Sequence, residues 1–241
     1  MRAGSMIGVA MLAAAAAVAP SAIAQKPAAT ADYEFEYTYP AQAARIAPLK
    51  AWLEADKAKR RAWVVRASAE ARREAKAARA PFRAYDVQQG WEVVTETPRF
   101  LSLSSASYSD TGGAHGNGSS GGLIWDKRAG RRMNAVSLFL SPAAFQSAVM
   151  TPWCRWMRAE RTRRVGADVG SDTVFGRCPP VKDVTVLLGS SNGRAFDRIG
   201  VIADQYVVGS YAEGPYEHTL PVTQAVLRAV KPEYRDAFSP R

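Results

Sequence analysis

The chain holds two histidines, His115 and His218, in 241 residues. Each lies in or beside a run rich in glycine and aromatic residues. An imidazole does acid–base or nucleophile-activating work when a carboxylate orients it within hydrogen-bond reach. Asp110 and Glu213 are the nearby carboxylates, and an envelope hydrolase built on one of these histidines is the alternative reading of the chain. Gly118-x-Ser120-x-Gly122 matches the nucleophile elbow, which needs a helix directly after the serine. Gly116-x-Gly118-x-x-Gly121 matches the dinucleotide fingerprint, which also needs a helix opening behind it. Leu123-Ile-Trp125 follows both and reads as strand. Two histidines without i,i+4 spacing or paired cysteines make a poor zinc set. No metal, no cofactor and no catalytic residue are therefore expected.

These residues sit in Tyr108–Asp126, with six glycines between Ser109 and Gly122. Glycine at that density excludes helix and predicts a turning, glycine-rich loop. A second glycine and tyrosine segment runs from Asp204 to His218. Together they nominate Gly112, Gly113, His115, Tyr206, Tyr211, Glu213, Tyr216 and His218 as ligand-binding residues. Tyrosine offers an apolar ring and a hydroxyl at low entropic cost, which suits recognition loops. The plain alternative is that these glycines are turn residues and the tyrosines core.

The elements that must position them read as follows. Residues 1–24 have the form of a secretory leader, with Arg2, an apolar run from Met6 to Ala19, and Ala22-Ile23-Ala24 before the cleavage point at Gln25. A periplasmic protein cleaved after Ala24 is expected, with a disordered linker over 25–31. No later apolar run is long enough to span a bilayer. Cys154 and Cys178 are an even pair in an exported chain and predict one disulfide.

Tyr33, Phe35, Tyr37 and Tyr39 alternate with polar residues and predict a strand with a buried aromatic face. Ala41 to about Ala80 reads as one long helix, or two broken near Pro48, rich in Ala, Lys and Arg. Arg45 to Arg83 carries 12 basic and 4 acidic residues, most of the formal net charge of +10. Such a helix is a solvated face or a peripheral contact for an anionic surface. Nucleic acid is not expected as a partner of an exported chain.

From Phe82 the pattern is sheet. Strands are expected across Tyr85–Thr97, interrupted or not at Gly90, and across Phe100–Tyr108. A hairpin of 123–127 with 133–139 is expected next. Ser141-Pro142 is an N-cap and N1 pair for a helix to about Arg164. Strands at 184–188, 195–203 and 220–222 precede a helix capped by Thr223. The class is α+β, a largely antiparallel sheet with packed helices, preceded by a long basic N-terminal helix. Residues 32–83 and 84–241 are expected to form one unit.

Tyr108-Ser-Asp-Thr-Gly-Gly-Ala-His-Gly116, then Leu123-Ile-Trp-Asp126 and Leu138-Phe139, resemble an extracytoplasmic bacterial family. Its paired domains of unknown function occur in RsiV-type, lysozyme-sensing anti-sigma factor ectodomains and ahead of the catalytic domain of some peptidoglycan deacetylases. Tyr211-Ala-Glu-Gly-Pro-Tyr216 followed by Leu220-Pro221 is similar to the family's second half. The resemblance implies an α+β fold, a wall-associated setting and, as in the anti-sigma members, recognition of lysozyme by surface loops. The expectation is a soluble, non-catalytic binding module for a cell-envelope ligand, either a peptidoglycan fragment or a wall-active protein such as lysozyme.

Overall fold

Alternation decides the first strands. The computed structural model describes residues 28–166 and 174–241. The expected leader, its cleavage site and the loop at 167–173 lie outside them. A two-residue strand, β1 (Ala28–Ala29), pairs antiparallel with β2 (Tyr33–Thr38). β1 lies inside the expected 25–31 linker. The Thr30 hydroxyl oxygen accepts from the amides of Asp32 and Tyr33, which makes the turn between the two strands. Tyr33, Phe35 and Tyr37 are buried on one face of β2, with Tyr39 just beyond.

Pro40 ends the strand and opens α1 (Ala41–Ala44), and α2 (Ala47–Ala77) follows with Pro48 in its first turn. This helix has 31 residues and is about 46 Å long. It buries only the stripe of Leu49, Leu53, Val64 and Ser68. Its acids serve the aromatic strand. Asp56 accepts the Tyr37 hydroxyl at 2.9 Å, and Glu54 accepts that of Tyr39. Burial, then the Glu54 contact, pushes the Tyr39 phenol up to about 12.

The helices return the chain to β3 (Tyr85–Glu96), which pairs parallel with β2. This is the one parallel pair among the described strands, and it follows from the helical crossover. β3 runs unbroken through Gly90. β4 (Phe100–Asp110), β5 (Asn117–Asp126) and β6 (Arg131–Met133) complete a six-stranded sheet in sequence order. The expected hairpin arm at 133–139 is cut short at Met133. Asn134 accepts from the Val136 amide and opens a single 3-10 turn over Ala135–Leu138.

Each face of this sheet has its own core. Leu101, Leu103, Leu123 and Trp125 join the β2 aromatics beneath α2. Phe100 and Ile124, on the opposite face, join the second core. That core is built by α3 (Pro142–Phe145), a π-helical turn, and α4 (Thr151–Val165). It also takes in the sheet β7 (Thr185–Gly189), β8 (Arg198–Ala203), β9 (Tyr216–Pro221) and helix α5 (Gln224–Ala229). Ser141 and Thr223 cap their helices, as their positions predict. Among the described residues no helix is long and apolar enough to cross a membrane.

Cys154 and Cys178 are bonded, with Cα atoms 5.5 Å apart and 24 residues of separation. Loop-closure entropy for that length is worth about 3 kcal/mol. The Cys154→Ala, Cys178→Ala double variant should lose about that much unfolding free energy in urea. An unchanged midpoint would show that the bond adds no stability.

Candidate functional site

The glycine-rich stretch is mostly strand. Only 111–116 turn between β4 and β5, and Gly118, Gly121 and Gly122 lie within β5. The expectation of a long loop fails because these glycines answer to space rather than to turning. A Cβ at Gly122 would stand 2.8 Å from the Val186 carbonyl oxygen of β7, and one at Gly121 would stand 2.5 Å from Ser105 Oγ. The second sheet crosses at backbone distance, which no larger side chain permits. Ser120, the serine of the elbow pattern, is in extended strand with no helix behind it, and its hydroxyl donates to Asp204 at 2.7 Å.

The turn itself is built by Asp110, Gly112 and Arg83. Asp110 accepts from the Gly112 amide at 2.8 Å, and Gly112 takes a left-handed φ of 85°. Arg83 reaches both the Asp110 carboxylate, at 3.2 Å, and the Gly113 carbonyl, at 3.0 Å. Gly112 and Gly113 thus present backbone at an exposed tip. Gly116 is pinned beneath Tyr108, whose hydroxyl occupies the place a Cβ would need. Burial, then the charges of Asp110 and Asp86, raises the Tyr108 phenol.

His115 meets the second segment here. Its ring stacks on Tyr211 with centroids 4.0 Å apart. Its Nδ1 lies 3.0 Å from the Gly116 carbonyl and so carries the proton, which leaves Nε2 to accept from the Tyr206 hydroxyl at 3.3 Å. The Tyr211 hydroxyl donates to the same carbonyl at 3.1 Å. Tyr206 and Tyr211 remain 51% and 37% exposed. The result is an aromatic platform of three rings, open on one side and tied to the backbone on the other.

Tyr206 has a φ of 70°, a conformation that costs a side chain about 1–2 kcal/mol. The surrounding turn enforces it. The Tyr206 amide donates to the Gly209 carbonyl and the Val207 amide to that of Asp204. Directly before Tyr206, Asp204 accepts the Ser120 amide and hydroxyl, and Gln205 donates to the Gly118 carbonyl.

The remaining nominated residues lie outside the platform. Glu213 is 11% exposed and accepts from Arg161 Nε at 3.0 Å, the Tyr216 hydroxyl at 2.6 Å and the Ser210 amide at 2.8 Å. Burial alone would raise its carboxyl, but these donors hold it down at about 2. Tyr216 is fully buried, and burial, then Glu213, pushes its phenol up to about 12. Both are supports for the 3-10 turn that carries Tyr211. Tyr216, the first residue of β9, packs into the second core, and Glu213, in the preceding 3-10 turn, is drawn in by Arg161, which residue type alone does not reveal. His218 stacks on Trp156 at 4.4 Å, and burial lowers its pKa.

Among the described contacts neither histidine touches a carboxylate. Asp110 is held by Arg83, and Glu213 by Arg161. The arrangement around His115 suits stacking and hydrogen bonding. Sequence reasoning passed over Arg83, Tyr108, Asp204, Gln205 and Arg161, which hold the platform from four separate segments. The one signal for Asp204 and Gln205 was their place directly before Tyr206.

A family model described as "Deacetylase PdaC" matches residues 28–118. That range spans β1 through the first residues of β5 and includes His115. No curated protein matches this chain. Among solved structures it is similar to a DUF3298 family protein from Pseudomonas aeruginosa PAO1, with 17% identity and a TM-score of 0.57 over 92% of this chain and 94% of that one. A DUF3298 family member from Bacteroides fragilis NCTC 9343 gives 15% identity and a TM-score of 0.57, over 85% and 87%. At these identities the likeness is one of fold, and it runs through nearly the whole chain.

Proposed function

We propose that the chain is a non-catalytic, periplasmic binding module for a cell-envelope ligand, a peptidoglycan fragment or a wall-active protein such as lysozyme. The observation that carries this reading is the exposed platform of His115, Tyr206 and Tyr211, braced in a strained turn. Stacked rings with free edges receive sugar faces or a protein side chain, and their backbone ties lower the ordering cost of binding. Gly112 and Gly113 add a side-chain-free rim, while Glu213 and Tyr216 hold the floor. The deacetylase-family match over residues 28–118, which include His115, supports a wall setting. The disulfide supports an oxidising compartment.

Calorimetric titration of residues 25–241 with soluble muropeptides, and separately with a c-type lysozyme, tests the reading. A saturable heat with one of them is expected, weakened about tenfold or more in His115→Ala, a loss of about 1.4 kcal/mol. Flat titrations with both ligands, or equal affinity in the variant, would overturn it.

A further inference from the structure

At the far end of β5 lies a second concavity, built on different chemistry. It has a volume of about 330 Å3 and is lined by Arg131, Arg132, Met133, Asn134, Ser137, Lys231 and Tyr234. Two features single it out. The first is charge. Arg131 and Lys231 line it and no carboxylate does. Among the described residues Arg131, Arg132 and Lys231 make no ion pair. Arg132 alternates to the opposite face of the sheet, where its guanidinium lies 4.2 Å over the Trp52 ring, and it adds no charge to the site. The neighbouring acids are spent elsewhere. Asp126 and Asp236 pair with Arg99, and Glu96 pairs with Lys127. Glu233 sits in the adjoining 3-10 turn but does not line the pocket.

The second is an underused buried donor. Tyr234 is 6% exposed, and its hydroxyl has only the Met133 thioether, at 4.0 Å, as acceptor. A thioether is a weak acceptor for a phenol. Asn134 commits its side-chain oxygen to the Val136 amide, which leaves its NH2 group to donate.

The geometry points to a phosphate-binding site. One guanidinium fork, an ammonium, an amide and a phenol supply donors, and no carboxylate of the lining competes for them. That set matches a compact group with several anionic oxygens. The ligand is a phosphate ester, either free in solution or as the headgroup of an anionic phospholipid. The pocket is separate from the aromatic platform. β6 pairs with residues 124–126 of β5, whereas the platform is tied to Gly116, about 25 Å away along an extended strand.

The test titrates residues 25–241, in a non-phosphate buffer of low ionic strength, with inorganic phosphate and with glycerol 3-phosphate. It also sediments the protein with phosphatidylglycerol and with phosphatidylcholine vesicles. The Arg131→Gln, Lys231→Gln double variant removes two cations from the pocket. Arg194→Gln removes one from an exposed loop elsewhere and serves as the control. Saturable phosphate binding is expected, weakened about tenfold or more in the double variant and less than about twofold in the control. Phosphatidylglycerol sedimentation lost in the double variant assigns the phosphate to a headgroup. Phosphate and glycerol phosphate binding with no such variant-sensitive sedimentation assigns it to a soluble ester. No saturable phosphate binding, or equal weakening in the pocket variant and the control, would overturn the site. Because the pocket variant leaves the platform intact, its titration with muropeptide or lysozyme should match wild type whatever the phosphate result.

Discussion

Glu213→Gln should lose about 3–5 kcal/mol of unfolding free energy, the usual cost of stripping one partner from a buried ion pair. Glutamine keeps the shape but leaves Arg161, which is 10% exposed, without its counter-charge. Arg161 already has one buried nitrogen, Nη1, without a hydrogen-bond partner. The carboxylate also ties the Ser210 amide and the Tyr216 hydroxyl to one point, so its loss frees the turn that carries Tyr211. The pH dependence has a definite sign. Glu213 is held at about 2 in the fold, against about 4.3 in an unfolded chain. Its contribution is complete above about pH 5 and is lost as pH falls through 4 toward 2. Urea unfolding at pH 7 should therefore separate wild type from variant by several kcal/mol, and the gap should narrow near pH 2. A constant gap across that range would show that the charge of Glu213 is not what stabilises.

Tyr206→Gly should show the opposite separation, with binding lost and the fold kept. Glycine at a φ of 70° relieves about 1–2 kcal/mol of left-handed strain. It gives back about 0.5–1 kcal/mol through the greater freedom of the unfolded chain. The two nearly cancel, so the thermal midpoint should move by no more than a few degrees. The ring, however, is half-exposed and its hydroxyl donates to His115. Removing an aromatic anchor from a recognition surface costs about 2 kcal/mol or more, which weakens ligand binding about thirtyfold. The same calorimetric titration, set beside a thermal melt, checks both halves. A variant that melts many degrees lower would make Tyr206 a folding residue, and one that binds normally would remove it from the site.

What could be read in the sequence was whatever short-range pattern controls. The period-two aromatics of β2, the Ser141 and Thr223 caps, and the cysteine pair all follow from local chemistry. The joining of His115 to Tyr206 and Tyr211 was legible only as two glycine–aromatic segments in one chain. Three features depended on distant neighbours and could not be read. Gly121 and Gly122 look like turn residues, yet they are strand residues trimmed for Ser105 and for β7. The parallel register of β2 and β3 is set by how the helical crossover packs. Glu213 and Tyr216 carry the residue types of a binding loop, and only the position of Arg161 and the packing of Tyr216 into the second core make them supports.

The side-chain seal on β5 has a consequence for how the chain comes to be folded at all. β6 pairs only with residues 124–126, so the outer edge of β5 from Gly116 to Ser120 has no strand beside it. Thr185 donates to the Ser120 carbonyl, Asp204 accepts the Ser120 amide, Gln205 donates to the Gly118 carbonyl, and Tyr211 donates to that of Gly116. Until those later residues arrive, the edge is an open row of amides and carbonyls that a second chain can zip onto. The residues that build the platform are thus also the last stopper against intermolecular pairing. A freshly made molecule keeps that adhesive edge until its final third has docked.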